Sequence, residues 1–255
     1  MTDALQGAYR VMCTIRAFEE RVRRETGEPA GPRTAGAEAA AAGVCLHLDG
    51  RDVIAGAHRR HGHRIAKGVD VRAVMADIRG RRTHIADGTL GGVPLLVCGA
   101  ALAAKQQDNG GVGVAFLGES AVNPAATAEA LTLACAWNLP AIFVAEDGGY
   151  ADRVAGLGMP VVIVDGSDFF AVHEAAGEAV GRARGGGGPT LIEAGFVEDG
   201  FDCLTRFRAR VTDSGELARQ VLDDIDAEVA KLIEDSVSAA SATPDSPQTD
   251  VYVSY

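Results

Sequence analysis

The chain is poor in aromatic residues and in positive charge. Only 5% of its 255 residues are Phe, Tyr or Trp, and 24 Lys and Arg face 35 Asp and Glu, a formal charge of −11. That balance argues against a nucleic-acid partner or an anionic membrane surface. No run approaches the ~18 apolar residues of a membrane span, and the first residues lack a signal-peptide hydrophobic region. The expected setting is therefore cytoplasmic, without membrane contact. Cys13, Cys45, Cys98, Cys135 and Cys203 are scattered, mostly within apolar runs, and form no CxxC pair. They read as buried thiols in a reducing compartment. No GxGxxG follows a candidate strand, which disfavours a nicotinamide-binding oxidoreductase.

What is present is apolar and periodic. With 47% hydrophobic residues and 32 glycines, a chain of this length can bury one sizeable core with close helix-on-sheet packing. Residues 4–25 read as an amphipathic helix broken by Gly27–Arg33, and a small-residue helix follows at about Gly36–His47. A short strand at Asp52–Ala57 leads into a basic loop, His58–His63. Further helices are expected at Val69–Gly80, opened by Asp70, and at Val93–Lys105, an almost wholly apolar segment. Strands then recur at 112–117, 141–145, 161–165 and 190–194, with helices at 124–137 and 168–184 between them. Strands alternating with helices predict an α/β fold, a doubly wound parallel sheet with helices on both faces. The pattern divides the chain into an α/β domain over 1–213, a charged helix over 214–236 and a Ser/Pro-rich tail over 237–255 that ends in DVYVSY.

The segment Val112–Tyr150 carries the strongest chemical signal. Two strand-type runs, VGVAF and AIFVA, each lead to an acid in the following turn, Glu119 and Asp147. The separation, 147 − 119 = 28 positions, accommodates one crossover helix and a return strand. Asn123 is a good N-cap and Pro124 suits the first helical position, so the loop from Gly118 faces a helix N-terminus, where phosphates bind readily. Ligands of open α/β sheets bind at the carboxyl ends of strands, and two oxygen ligands in one crevice suit a hard divalent cation on a diphosphate. An ordinary strand-turn-helix with solvated acids would carry the same GES tripeptide. Likewise, His58–His63 would serve equally as a solvated basic loop.

In order along the chain, YRVMCTIRAFEERV (Tyr9–Val22), AGAEAAAAGV (Ala35–Val44), HRRHGHRIAKG (His58–Gly68), GAALAAK (Gly99–Lys105), FLGESAVN (Phe116–Asn123), AWNLPAIFVAEDGGYA (Ala136–Ala151), VDGSDFFAVHEAAGEAV (Val164–Val180) and GPTLIEA (Gly188–Ala194) resemble one family. It is the thiamine-diphosphate-dependent alpha subunit of the first, decarboxylating component of 2-oxo acid dehydrogenase complexes, here in shortened form. The resemblance implies thiamine diphosphate and Mg²⁺ as cofactors and a beta-type subunit as partner, as an α2β2 assembly. It implies decarboxylation of a 2-oxo acid and transfer of the resulting acyl or hydroxyalkyl carbanion, by a dehydrogenase component or a carboligase making acyloin-type products. A non-catalytic scaffold that has lost the cofactor is the alternative.

Carried over residue by residue, the resemblance assigns Glu119 to the metal, with Gly118 and Ser120 beside it in the cofactor loop. Arg59 falls on the diphosphate, with His58 in place of the family's tyrosine. His61 matches a histidine that faces cofactor or substrate, and His63 is expected at the rim. Leu90 roughly matches the apolar residue beneath the bent cofactor, and Tyr150 offers a backbone carbonyl to the metal. The family's metal-binding asparagine is replaced by Gly148, which leaves Asp147, one position early, as the second metal ligand. The chain also lacks two family segments: an insert between the 69–80 helix and the next turn, and a GHS loop after GPTLIEA. The glutamate that activates the cofactor's aminopyrimidine belongs, in this family, to the beta subunit.

Overall fold

The computed structural model describes residues 2–26, 37–56, 61–79, 92–118, 124–146, 149–195 and 202–241. In chain order the elements are α1 (Thr2–Thr26), α2 (Ala37–Cys45), β1 (Val53–Ala55), α3 (His61–Ala66), α4 (Val71–Arg79), α5 (Val93–Gln107), β2 (Gly113–Leu117), α6 (Pro124–Ala136), β3 (Ala141–Ala145), α7 (Ala151–Val154), β4 (Val161–Asp165), α8 (Phe169–Arg184), β5 (Thr190–Gly195), α9 (Cys203–Asp213) and α10 (Arg219–Ser241).

The five strands form one sheet in the order β1-β2-β3-β5-β4, and every neighbouring pair is parallel. The central strands β2 and β3 are buried along their whole length, as parallel strands covered on both faces must be. Alternate side chains feed two cores. Val114, Phe116, Ile142, Val144, Ile192 and Ala194 face α1, α2, α8, α9 and α10. Ala115, Leu117, Ala141, Phe143 and Ala145 face α5 and α6. Edge strands β1 and β4 expose Val53 and Ile163, 47% and 68% accessible.

Helix starts are set by side chains named in the sequence. Asp168 accepts from the N–H groups of Phe170 and Ala171, at 2.9 and 3.3 Å, and so opens α8. Asp202 accepts from Thr205 at 3.2 Å and opens α9. At the amino edge of the sheet the buried Asp52 takes N–H groups from Asp49 and Val112 and the Arg184 guanidinium, fastening β1 and β2 to the end of α8. Across the outer layer, Arg16 of α1 pairs with the buried Glu38 of α2 and with Asp202. The first and last helices pack together through Tyr9–Asp226, Arg10–Glu228 and Arg21–Glu234.

Besides the short α7, which the sequence did not announce, three elements differ from the sequence reading. The basic loop ends sooner than expected, because His61 already opens α3. That helix is too short to persist alone and holds through packing of Ile65 and Ala66. Residues 203–213 form α9, whose Cys203, Phe207 and Val211 recur at helical spacing on one buried face. The charged helix begins at Arg219, after a turn with Gly215 in left-handed conformation, and continues to Ser241. The tail beyond it lies outside the described residues.

Candidate active site at the carboxyl edge of the sheet

Because all strands are parallel, their carboxyl ends share one edge. Leu117, the last residue of β2, pairs with Ala145, the last of β3, and the Glu146 N–H donates to the Leu117 carbonyl at 2.9 Å. Gly118 and Glu146 therefore leave the sheet side by side, both buried. Their next residues in sequence are Glu119 and Asp147.

The turn after β3 is anchored from the neighbouring strand. Glu193 of β5, paired with Ala145, accepts N–H groups from Gly149, Tyr150 and Ala151 at 3.1, 3.0 and 2.7 Å. Three donors on one carboxylate form a charge-assisted clamp. Gly149 takes φ +94°, which L side chains rarely adopt, so the turn suits glycine there. Tyr150 is buried, and the Arg153 guanidinium lies over its ring, 5.0 Å from the centroid. The Tyr150 carbonyl already accepts from Arg153 and Val154, so metal ligation by that oxygen would add to two helix bonds.

Two histidines of α3 reach different partners. The Nδ1 of His61 lies 3.3 Å from Glu19 of α1, and its ring meets Phe18 edge-on. His63 is not a rim residue: it is 4% exposed, stacked on Phe116 of β2 with centroids 3.9 Å apart, and its Nε2 lies 3.2 Å from Glu146 Oε1. The apolar wall of the sheet draws the ring inward, and the carboxylate takes its N–H. His58, Arg59, Leu90, Glu119, Ser120 and Asp147 lie outside the described residues. Neither Glu193 nor Glu146 stood out as functional in the sequence. A glutamate inside the buried run TLIEA was the available signal, since an acid there needs donors nearby.

The end of β5 and the start of α9 are each held beside the end of β4. Gly166 N–H donates to the Gly195 carbonyl, and Arg206 of α9 pairs with Asp165 and Asp168 beside the end of β4. Burial alone would raise the Asp165 carboxyl, but Ser167 and Arg206 hold it below the usual range. Burial opposes Arg16 at Asp202 in the same way, and Arg16 prevails.

Among the described residues, no group of three or more His, Cys, Asp or Glu could hold a metal. The edge nonetheless fits a diphosphate and a hard cation. Glu119 and Asp147 each stand two positions beyond a paired strand residue, Leu117 and Ala145. In sequence, Glu119 lies five positions before Pro124, the first residue of the 13-residue α6, whose N-terminus suits phosphate.

Comparison with known proteins agrees with this geometry. The family profile described as Dehydrogenase E1 component matches residues 11–197. The alpha subunit of acetoin:2,6-dichlorophenolindophenol oxidoreductase from Cupriavidus necator is 44% identical, covering 99% of this chain and 95% of the relative. The protein of the same name from Bacillus subtilis is 38% identical over 97% and 93%. The pyruvate dehydrogenase E1 component subunit alpha of Rhizobium meliloti is 28% identical over 96% and 88%. The Cupriavidus alignment is 317 positions long against 255 residues here, so at least 317 − 255 = 62 positions have no counterpart in this chain. The chain belongs to the dehydrogenase E1 component family, as an alpha-subunit-type member of the thiamine-diphosphate-dependent 2-oxo acid dehydrogenases.

Proposed function

We propose that the chain is the alpha half of a two-component enzyme that breaks the carbon–carbon bond beside a substrate carbonyl. The bond is that to the carboxylate of a 2-oxo acid or to the carbinol carbon of an acyloin such as acetoin. The greater identity to the acetoin-named relatives, 44% and 38% against 28%, favours a small acyloin-type ketone. When bound, thiamine diphosphate supplies the electron sink for this cleavage. The observation that carries the reading is the pair of acid-bearing turns leaving the paired strand ends Leu117 and Ala145.

In this reading Glu119 is the principal Mg²⁺ ligand, Asp147 the secondary one, and the Tyr150 carbonyl a further oxygen. Arg59 forks onto the diphosphate with His58 and Ser120 nearby, and Gly118 lets the backbone approach. Leu90 supports the cofactor's bend. His61, held by Glu19, is placed to hold or move a proton toward substrate. The group that activates the aminopyrimidine comes from a beta-type subunit. Exposed apolar residues on α5, among them Leu96 at 51%, support a protein partner there. We infer an α2β2 assembly in the cytoplasm, with the tail beyond α10 docked on a neighbouring subunit. The scaffold alternative rests on Gly148 standing where the family binds metal.

The test is co-expression with a beta-type partner and an assay of 2,6-dichlorophenolindophenol reduction, with acetoin and with pyruvate. Turnover that needs both thiamine diphosphate and Mg²⁺ is expected. No turnover, together with no thermal shift on adding both cofactors, would favour the scaffold.

A further inference from the structure

We propose that His63 and Glu146 form a positioning pair that fixes α3 against the end of β3, and so holds the two described elements whose sequence neighbours carry Arg59 and Asp147. The inference rests on the function proposed above and concerns residues to which that reading gives no part.

The pair sits where three neighbouring strands end. Gly56 follows β1, Phe116 belongs to β2, and Glu146 follows β3. The His63 ring meets all three. It stacks on Phe116 with planes 14° apart, and its Nε2 reaches Glu146. A Cβ built on Gly56 would lie 2.9 Å from its Nδ1, so the ring needs glycine at that point. In sequence, His63 follows Arg59 by four positions, and Glu146 immediately precedes Asp147. One hydrogen bond therefore links the element carrying the phosphate-binding arginine to the one carrying the second metal acid.

A purely structural role would be met better by an apolar ring. Phenylalanine would stack on Phe116 equally well, and a nonpolar residue at 146 would need no donor. Instead the chain buries an imidazole and a carboxylate, 4% and 1% exposed. The carboxylate accepts, so Nε2 carries the proton, and Nδ1 is left buried without a hydrogen-bond partner. An unmet buried polar atom is a cost that an apolar ring would avoid. What the polar pair adds over an apolar contact is direction: a hydrogen bond fixes angle and distance, whereas stacked rings slide. Partners that orient ligating residues in this way commonly change metal affinity by about 10–100-fold when removed.

Two variants separate the hydrogen bond from the ring, each assembled with the beta-type partner. His63→Phe keeps the stack and loses the donor; His63→Gln keeps an amide donor and loses the ring. Calorimetric titration with thiamine diphosphate and Mg²⁺ should show His63→Phe weakened by about 10–100-fold. His63→Gln should stay within about threefold, and kcat at saturating cofactor should be nearly unchanged in both. Hydrogen exchange on the unmodified assembly provides a readout that needs no variant. Cofactor binding should protect residues 61–66 and 141–151 together. An unchanged dissociation constant in His63→Phe, equal weakening of both variants, or protection of only one segment would overturn the inference. If the unmodified assembly binds no cofactor, the proposed function itself fails; if it binds and His63→Phe binds as well, only this inference does.

Discussion

Glu193 and Glu119 show how differently two acids of one site are used. Glu193 turns inward to three N–H groups of its own chain, so its removal acts on the fold of the turn. Glu193→Ala should lower stability by about 2–3 kcal/mol, a loss set by hydrogen bonds to a charged acceptor and measurable by urea unfolding. Under the proposed function Glu119 holds the cation, so Glu119→Ala should abolish Mg²⁺-dependent cofactor binding while the melting temperature of the cofactor-free assembly stays put. Asp147→Asn should be mild, because Mg²⁺ readily keeps water in a vacant position. A Mg²⁺ titration of cofactor binding in both variants checks the order; normal binding in Glu119→Ala would return that loop to an ordinary turn. Arg59→Lys should weaken binding by about 1–3 kcal/mol, since an ammonium cannot reproduce a bidentate fork. Sequence made Glu119 and Asp147 visible because acids after strand ends are conspicuous. It hid Glu146 and Glu193, whose partners are brought up by sheet register alone.

At the scale of elements, the strands were legible almost to the residue. Their β-branched and small apolar runs have no competing reading once covered on both faces: 141–145 and 161–165 match β3 and β4 end for end. Elements fixed by tertiary contact were not legible. The short α3 and α7 carry no periodicity long enough to read, and α9 was obscured by comparison with a longer loop expected in its place. Helix contacts also set the acid sensitivity. His47 of the α2–α8 interface stacks on His173 at 4.0 Å and bonds the His173 carbonyl. Burial first, then the neighbouring His173 and Arg184, lowers its pKa below 6.5. A base held neutral by the fold contributes stability above its unfolded pKa that is lost as pH falls through the folded one. Unfolding temperature should therefore drop as pH is taken from 7 toward 5, and His47→Gln should flatten that drop. The depressed carboxyls of Asp165 and Asp202 act lower, their contribution fading only as pH falls below 3.8. Arg16→Met, which takes the guanidinium from the buried Glu38, should cost about 3–5 kcal/mol by chemical unfolding at pH 7.

As a whole molecule, the protein buries four of its five thiols, with Cys135 partly exposed, and leaves apolar side chains open on α5 and just after α6. Burial raises Cys13 and Cys45 to about 12 and Cys98 to about 11, so none is poised as a nucleophile at neutral pH. Leu96 of α5 and Trp137, just after α6, stand half exposed. The isolated chain is expected to aggregate and to lack activity, and size-exclusion chromatography with and without the beta-type partner reads this directly. A soluble monomer that turns over substrate alone would contradict it.

The pairing of α1 with α10 has a consequence for how the protein is made. Tyr9 meets Asp226 across 217 positions of chain, so during synthesis α1 waits for α10. Until then its apolar face, Tyr9, Met12 and Phe18 among it, has no final cover. Closing so long a loop is slow, and half-made chains with open apolar surface are prone to stick to one another. Completion of the fold is therefore tied to synthesis of α10. A stop codon anywhere before α10 removes not a peripheral helix but the lid over the start of the chain.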